Sequence, residues 1–161
     1  MYRPQFPYPI PDGCRDEDFV YYFDGSNVPL LNQSVSGLSV PNIPLILEQD
    51  ADFYWRGFSV GMYTTGAGPV EVQPNVAVKF QDCYQNNLSE GLIPATQYAF
   101  PQNPVTFYNG MYNGPFVPLE PEIFCPRGGV ILFFMQAPTL ASPSYVMVSL
   151  FGVKRFQECK S

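Results

Sequence analysis

The stretch VILFFMQ at residues 130–136 decides the fold class of this chain. It is apolar at nearly every position, and it has the length of a strand rather than that of a helix. A second stretch, YVMVSLFGVKRF at 145–156, is apolar on both faces over much of its length. Strands with two apolar faces occupy the centre of a sheet, between packed layers. The chain is therefore expected to be built around two central β-strands.

Further strand patterns precede these two along the chain. Alternation of apolar and polar residues, or enrichment in aromatic and β-branched residues, marks each of them. The predicted strands are DFVYYF at 18–23, IPLIL at 43–47, FYWRGFSVGM at 53–62 and VAVKFQD at 76–82, with weaker patterns at 106–108 and 122–124. Within the third strand, Gly57 and Gly61 indicate bulges or places where the backbone is closely approached.

The spacing of these patterns predicts an all-β fold. About eight short strands separated by turn residues are typical of an antiparallel β-sandwich, here jelly-roll-like. The 18 prolines in 161 residues exclude a bundle of long helices. Residues 14–161 are expected to form one sandwich domain, preceded by an arm at 1–13.

Two segments rich in proline and aromatic residues lie outside the strand patterns. The arm at 1–13 alternates the two residue types and is expected to be extended, because proline disfavours helix. Residues 84–126 read as a long loop whose weakly charged, aromatic composition is typical of an interface core. The arm either straps its own domain or is exchanged between subunits, and the loop either caps the sandwich or contacts a partner. The predicted interface residues are Tyr2, Phe6, Tyr8, Tyr98, Phe100, Phe107, Tyr108, Tyr112 and Phe116.

Composition excludes several kinds of chemistry. The chain has no histidine, so a histidine-based catalytic triad and a histidine metal site are impossible. The net charge of −6 and the absence of clustered Lys and Arg argue against nucleic acid and against an anionic membrane surface. No cofactor motif is present, so no cofactor, catalytic residue or metal ligand is expected.

Three groups of acidic residues could supply a pair of catalytic carboxylates. Asp50 with Asp52, Glu120 with Glu122, and the run Asp16-Glu17-Asp18 have the composition that a glycosidase requires. Acids beside strands more often guard an edge or form ion pairs. Asp50 or Asp52 is expected to form a structural ion pair with Arg56, and Arg127 a second pair with Glu120 or Glu122.

Cysteine spacing and the N-terminal sequence indicate a cytosolic site of synthesis. Residues 1–13 lack the continuous apolar core of a signal peptide, and no stretch reaches the length of a membrane-spanning helix. Cys14, Cys83, Cys125 and Cys159 are widely spaced, and free thiols are therefore favoured over two disulfides.

Three blocks of the chain carry a family resemblance. IPLILEQDADFYWRGFSV (43–60), PLEPEIFCPRGGVILFF (118–134) and VSLFGVKRF (148–156) resemble small capsid-associated proteins of tailed bacteriophages, of the decoration or cement type. The resemblance implies a jelly-roll-like β-sandwich assembled as trimers on a capsid, without enzymatic activity. It carries over no catalytic or contact residues.

These observations predict a non-enzymatic virion structural protein. It is expected to be made in the host cytoplasm and to lie on the capsid surface as a homotrimer. Contacts of the arm and the loop with the major capsid protein and with copies of the chain itself are expected to stabilise the shell. One alternative is a tail or fibre module that binds a host glycan or another tail protein, with Trp55 and tyrosines 98, 108 and 112 as a platform, although a strand position favours Trp55 in the core. Another is a jelly-roll hydrolase that uses paired acids.

Overall fold

The chain folds into two antiparallel sheets. The computed structural model describes residues 13–37, 39–64, 70–72, 75–95 and 117–157. The elements are β1 (Cys14–Phe23), a 3-10 helix (Pro29–Leu31), β2 (Ser39–Ile46), β3 (Asp52–Thr64), β4 (Val70–Val72), β5 (Ala77–Gln81), β6 (Ile93–Pro94), β7 (Val117–Cys125), β8 (Val130–Gln136) and β9 (Ser144–Gln157).

The strands pair in a nested order. One sheet has the order β1-β9-β3-β4, with β7 also paired to β3, and the other has the order β2-β8-β5-β6. Thus β1 pairs with β9, β2 with β8, β3 with β7 and β5 with β6, all antiparallel. This is the arrangement of one long hairpin rolled into two layers, and it makes the protein a β-sandwich of the jelly-roll kind, as predicted.

The core lies between the two sheets. Trp55 and Phe58 of the five-stranded sheet pack against Phe80 of the four-stranded sheet, with ring centroids 5.7 and 4.5 Å from that of Phe80. Phe133 lies 5.1 Å from Phe80 on the other side. All four are at most 2% exposed. Burial of Trp55 confirms its predicted place in the core, and its indole N–H donates to the Gly57 carbonyl at 2.8 Å.

A β-bulge interrupts β3 where glycine indicated one. Trp55 pairs with Gly152 of β9 and Gly57 pairs with Phe151, so Arg56 is the additional residue. The inward-facing set therefore changes from Phe53 and Trp55 to Phe58, Val60 and Met62. A side chain at position 152 would lie 2.1 Å from the Tyr54 carbonyl oxygen, which explains glycine opposite the bulge.

Both strongly apolar stretches are central strands, as predicted. Strand β8 has the predicted bounds and lies between β2 and β5, while β9 lies between β1 and β3. Strand β1 begins four residues before the predicted start, because its charged first half, CRDE, also pairs with β9.

The predicted loop at 84–126 is wrong in its second part, where the weaker strand pattern at 122–124 is confirmed as part of a longer strand. Residues Val117–Cys125 form β7, in spite of Pro118 and Pro121. Proline is tolerated there because β7 pairs with β3 along one side and its register is shifted between Trp55 and Gly57, leaving Pro121 outside the paired positions. The arm at 1–13, except Gly13, and the weak strand at 106–108 lie outside the described residues.

Candidate interaction surface

The side chains of β9 point alternately to the inward and to the outward face of the five-stranded sheet. Val146, Val148 and Leu150 are fully buried against the core. Tyr145, Met147 and Phe151 alternate with them, and because successive strand residues point to opposite faces, they point outward. The described residues form only two layers. Among the described residues, the second apolar face of β9, which predicted a covering layer, is therefore the outer face of the sandwich.

Half of this outer face is aromatic and uncharged. The same pairing that aligns β1 and β3 with β9 places their outward residues beside those of β9. We call this half the aromatic face; it consists of Val20, Tyr22, Tyr63, Tyr145, Met147 and Phe151. The remaining outward positions between them are Ser59, Gly61 and Ser149, so none of the positions carries a charge.

Contacts within the aromatic face hold its side chains against the sheet. The Tyr63 and Tyr145 rings stack as a cross-strand pair, with centroids 5.6 Å apart. The Tyr22 hydroxyl donates to the Met147 sulfur at 3.4 Å. Met147 lies over Gly61, where a side-chain carbon would be 3.0 Å from its terminal methyl group. Tyr22 is 45% exposed and Val20 is 38% exposed, whereas the other four residues of the face are partly buried.

The other half of the outer face is charged. Arg155 of β9 forms a two-pronged ion pair with Asp16 of β1, at 2.9 and 3.1 Å. Its guanidinium also lies 4.9 Å from the centre of the Tyr54 ring and donates to the Tyr54 hydroxyl at 3.3 Å. The Asp16 side chain is fully buried and that of Arg155 is 9% exposed. The hydrogen bonds with Asp16 raise the pKa of Arg155, outweighing the opposite effect of its burial.

The structure gives Asp50, Asp52 and Arg56 other partners than the predicted ones. Arg56 pairs with Glu122 of β7 at 2.9 Å. Asp52 accepts the Arg127 backbone N–H at 3.1 Å and lies 3.6 Å from the Arg127 guanidinium.

The predicted partners were wrong for a geometric reason. Four residues along one strand span about 13 Å, so the Arg56 and Asp52 side chains start too far apart to pair readily. The pairing of β3 with β7 brings Glu122 beside Arg56 instead. Arg127 was expected to pair with Glu120 or Glu122 and lies against Asp52 because the turn after β7 places it at the start of β3.

Asp50 belongs to a separate cluster around Lys154, on the inward face of the sheet near the end of β9. The Lys154 ammonium contacts the Glu48 carboxylate, lies 3.1 Å from Asp50 and stands 3.9 Å from the centre of the Phe19 ring. Its side chain is 2% exposed. Burial lowers the pKa of Lys154, but the hydrogen bonds with Glu48 and Asp50 outweigh it and the net pKa is raised. The lysine therefore stays charged inside the sandwich.

A second apolar surface lies on the opposite side of the molecule. Ile46 of β2 and Val130 of β8 are cross-strand neighbours on the outer face of the four-stranded sheet. Ile46 is 61% exposed and Val130 is 38% exposed. Phe134 follows on the same face of β8, where the Lys79 ammonium lies 5.7 Å from its ring centre. Exposed apolar residues thus occur on both outer faces of the sandwich.

The predicted interface residues cannot be placed on either surface. Tyr2, Phe6, Tyr8, Tyr98, Phe100, Phe107, Tyr108, Tyr112 and Phe116 all lie outside the described residues. The aromatic face was not predicted as an interface. Its signal was present in the sequence, because Tyr145, Met147 and Phe151 occupy every second position but one on β9, opposite the core residues.

The described residues offer little that an enzyme site or a membrane-spanning helix requires. Within the described ranges, no three His, Cys, Asp or Glu side chains are grouped so as to hold a metal ion. A shallow hollow of about 330 Å³ is lined by uncharged residues, including Asn75, Pro94 and Gln136. No helix in the described part of the chain has the length and apolar character needed to cross a bilayer.

Comparison with known proteins adds no family. No protein-family model matches the chain, and no curated protein matches it significantly.

Proposed function

We propose that this chain is a non-enzymatic virion structural protein that binds and stabilises a phage capsid. The observation that carries the proposal is the aromatic face, an ordered and uncharged surface of Tyr, Phe, Met and Val on a rigid sheet. Aromatic residues and Met are enriched, and charges depleted, at the centres of protein–protein interfaces. Such a surface offers apolar area to a partner protein and offers few groups for chemistry.

The second apolar surface supports a bridging role. Ile46 and Val130 lie on the four-stranded sheet, and the aromatic face lies on the five-stranded sheet, so the two surfaces point in opposite directions. A protein that reinforces a shell must contact more than one neighbour, because a single contact adds mass without linking subunits. Two contacts made by one rigid domain also strengthen each other through effective concentration.

The state of the acids favours binding over catalysis. Asp16, Asp50, Asp52 and Glu122 each lie against a Lys or Arg side chain. A carboxylate in such a pair is already engaged by a cation of the fold, whereas glycoside hydrolysis needs two acids that face a bound sugar. The roles of these residues are best described as structural.

The partners in the proposal follow from the resemblance to decoration and cement proteins. They are the major capsid protein and further copies of this chain, assembled as a homotrimer on the outside of the virion after synthesis in the host cytoplasm. The predicted arm and the residues at 96–116 would add contacts to those of the aromatic face.

The glycan-binding alternative has less support. Sugar-binding sites stack a pyranose on an exposed aromatic ring, and Trp55, the residue best suited to this, is fully buried. The tyrosines at 98, 108 and 112 lie outside the described residues. The tail or fibre module therefore remains an outcome to be tested rather than a second proposal.

The test is a deletion of the coding gene in the phage that carries it, followed by measurement of particle stability. Particles without the protein should lose DNA at a lower temperature than wild-type particles, and addition of the purified protein should restore the difference. Particles that are equally stable, or wild-type virions that lack the protein, would contradict the proposal. A loss of host attachment with unchanged capsid stability would support the tail module instead.

A further inference from the structure

Two cysteines from opposite sheets meet at one end of the sandwich. Cys125 is the last residue of β7 in the five-stranded sheet, and Cys83 follows β5 of the four-stranded sheet. The two residues are 42 positions apart in the sequence and both are free thiols in the structure. The turn that follows Cys125, closed by the Gly129 N–H to Pro126 carbonyl bond at 2.9 Å, lies against the Cys83 sulfur, and each thiol is the largest influence on the pKa of the other. No other feature of the described chain connects two nucleophilic groups in this way.

The surroundings keep the two thiols together. A side-chain carbon built on Gly129 would lie 2.9 Å from the Cys83 sulfur, so the turn between β7 and β8 closes over it. Cys125 is fully buried, whereas Cys83 is partly exposed. A reagent in solution therefore reaches Cys83 first, and Cys125 is reached only through it.

The turn that carries Cys83 is fixed by Asp82. The Asp82 carboxylate accepts hydrogen bonds from the backbone N–H groups of Tyr84 and Asn86, at 2.8 and 2.9 Å, and from the Asn86 amide at 3.1 Å. The Asp82 backbone N–H donates to the Asn86 carbonyl at 3.0 Å. Asp82 is 7% exposed, so its carboxylate is largely shielded from water. Cys83 is consequently held in place rather than carried on a free loop.

The interaction between the thiols makes them chemically unequal. It lowers the pKa of Cys83, with burial acting in the opposite direction to a smaller extent. The same interaction, followed by burial, raises the pKa of Cys125 well above its ordinary value. Because the thiolate is the nucleophile, Cys83 is the attacking residue and Cys125 the resolving one.

We propose that Cys83 and Cys125 form a redox-sensitive pair that a low-molecular-weight disulfide, such as glutathione disulfide, converts into a covalent bond between the two sheets. The Cys83 thiolate attacks one sulfur of the reagent, forms a mixed disulfide and releases one glutathione thiolate. The Cys125 thiol then loses its proton to the medium, attacks the Cys83 sulfur and releases the second glutathione thiolate. Two protein thiols are oxidised and one reagent disulfide is reduced.

The disulfide would link the two sheets or leave them unlinked according to the redox conditions around the protein. In a reducing cytosol the pair stays open, and in an oxidising medium it closes. The closed loop contains the residues between 83 and 125, and closing a loop of this size restricts the unfolded chain. For a domain of this length, the expected rise in melting temperature is about 10 °C. This inference does not depend on the proposed capsid function.

The test is incubation of the folded protein with glutathione disulfide, followed by mass analysis of its proteolytic peptides. We expect a cross-linked pair of peptides that contain Cys83 and Cys125, with the intact protein lighter by two hydrogens. In Cys125→Ala, the reaction should stop at the mixed disulfide, with one glutathionyl group on Cys83. In Cys83→Ser, Cys125 should remain unmodified. A Cys14→Ser variant is the matched control and should still form the cross-link.

Three results would overturn the proposal. In these results, wild-type protein keeps both thiols unmodified while Cys14 reacts, stops at a glutathionylated Cys83, or forms a bond that includes Cys14 or Cys159 instead. Melting of the oxidised wild type supplies a readout that does not depend on the folding of any variant. An unchanged melting temperature, in a sample that mass analysis shows to be cross-linked, would show that the disulfide does not stabilise the fold.

Discussion

The two halves of the outer face of the five-stranded sheet use their side chains in opposite ways. At one end, Asp16 and Arg155 are charged and buried against each other. At the other, Val20 and Tyr22 are apolar or aromatic and exposed. The usual distribution is the opposite one, because charged side chains are mostly exposed and large apolar side chains are mostly buried. The charged half thus holds β1 to β9, and the aromatic half is the surface that we propose contacts a partner.

The largest expected effect on folding comes from the charged half. Replacing Asp16 by Ala removes the carboxylate from the buried Arg155 guanidinium, and breaking a buried ion pair from one side costs about 3–5 kcal/mol. Urea unfolding of Asp16→Ala should show this loss in the free energy of unfolding.

The neighbouring residue Glu17 provides the control for that variant. Glu17 pairs with Arg15 at 3.0 Å, but both side chains are about half exposed. Glu17→Ala should therefore cost only about 0–1 kcal/mol. Equal losses in the two variants would break the distinction between a buried structural pair and a surface pair.

A second prediction compares the two sides of β9 within the aromatic half. Leu150→Ala removes a fully buried side chain and should cost about 2–5 kcal/mol by urea unfolding. Phe151→Ala removes a larger side chain from the outward face and should cost about 1 kcal/mol, because less of that area is taken from water on folding. A greater loss for Phe151 than for Leu150 would mean that the outward face is part of a folding core.

A third prediction concerns alkaline pH and the inward cluster at the charged end. The pKa of Lys154 is raised above its ordinary value of 10.5, so its stabilisation is complete below that pH and is lost as pH rises through the folded pKa. Burial raises the pKa of Tyr21 above 10.0, with hydrogen bonding to the Glu48 backbone acting oppositely, and its contribution changes with pH in the same direction.

Thermal unfolding between pH 8 and pH 12 measures this dependence. The melting temperature should begin to fall near pH 10, and Lys154→Met should fall less steeply at the alkaline end, because methionine has no proton to lose. A variant whose profile is as steep as that of the wild type would show that Lys154 contributes nothing to the alkaline transition.

Most strands and the fold class could be predicted from the sequence. Apolar alternation located β3, β5, β8 and β9 within a few residues, and Gly57 indicated the bulge at Arg56. These features are local, since a strand's periodicity and a bulge's glycine are read within a few neighbouring positions. The extension of β1 to Cys14 was missed because its first half is charged, and its pairing with β9 depends on residues far along the chain.

The candidate surface was less accessible to sequence reasoning. Two apolar faces on β9 predicted a layer on each side, and only the arrangement of the sheets shows that one of those faces is outermost. Arg56 was assigned to nearby acids, whereas its partner Glu122 is brought to it by the pairing of β3 with β7. In both cases the deciding contacts join positions that are distant in the sequence.

The aromatic face can be tested with a pair of variants that differ in place and not in charge. Tyr22→Lys puts a cation at the most exposed residue of the face, and Gln33→Lys puts one at an exposed site beyond the 3-10 helix. Both substitutions lie at the surface, so each should change the free energy of unfolding by no more than about 0.5 kcal/mol.

The decisive measurement is the affinity of the wild type and these two variants for capsids from particles that lack the protein, by co-sedimentation. The account predicts that Tyr22→Lys weakens binding by about 30-fold or more, as expected when a charge replaces an exposed aromatic residue within an interface, while Gln33→Lys binds like the wild type. Wild-type affinity in Tyr22→Lys, with the fold intact, would contradict the claim that the aromatic face binds the capsid.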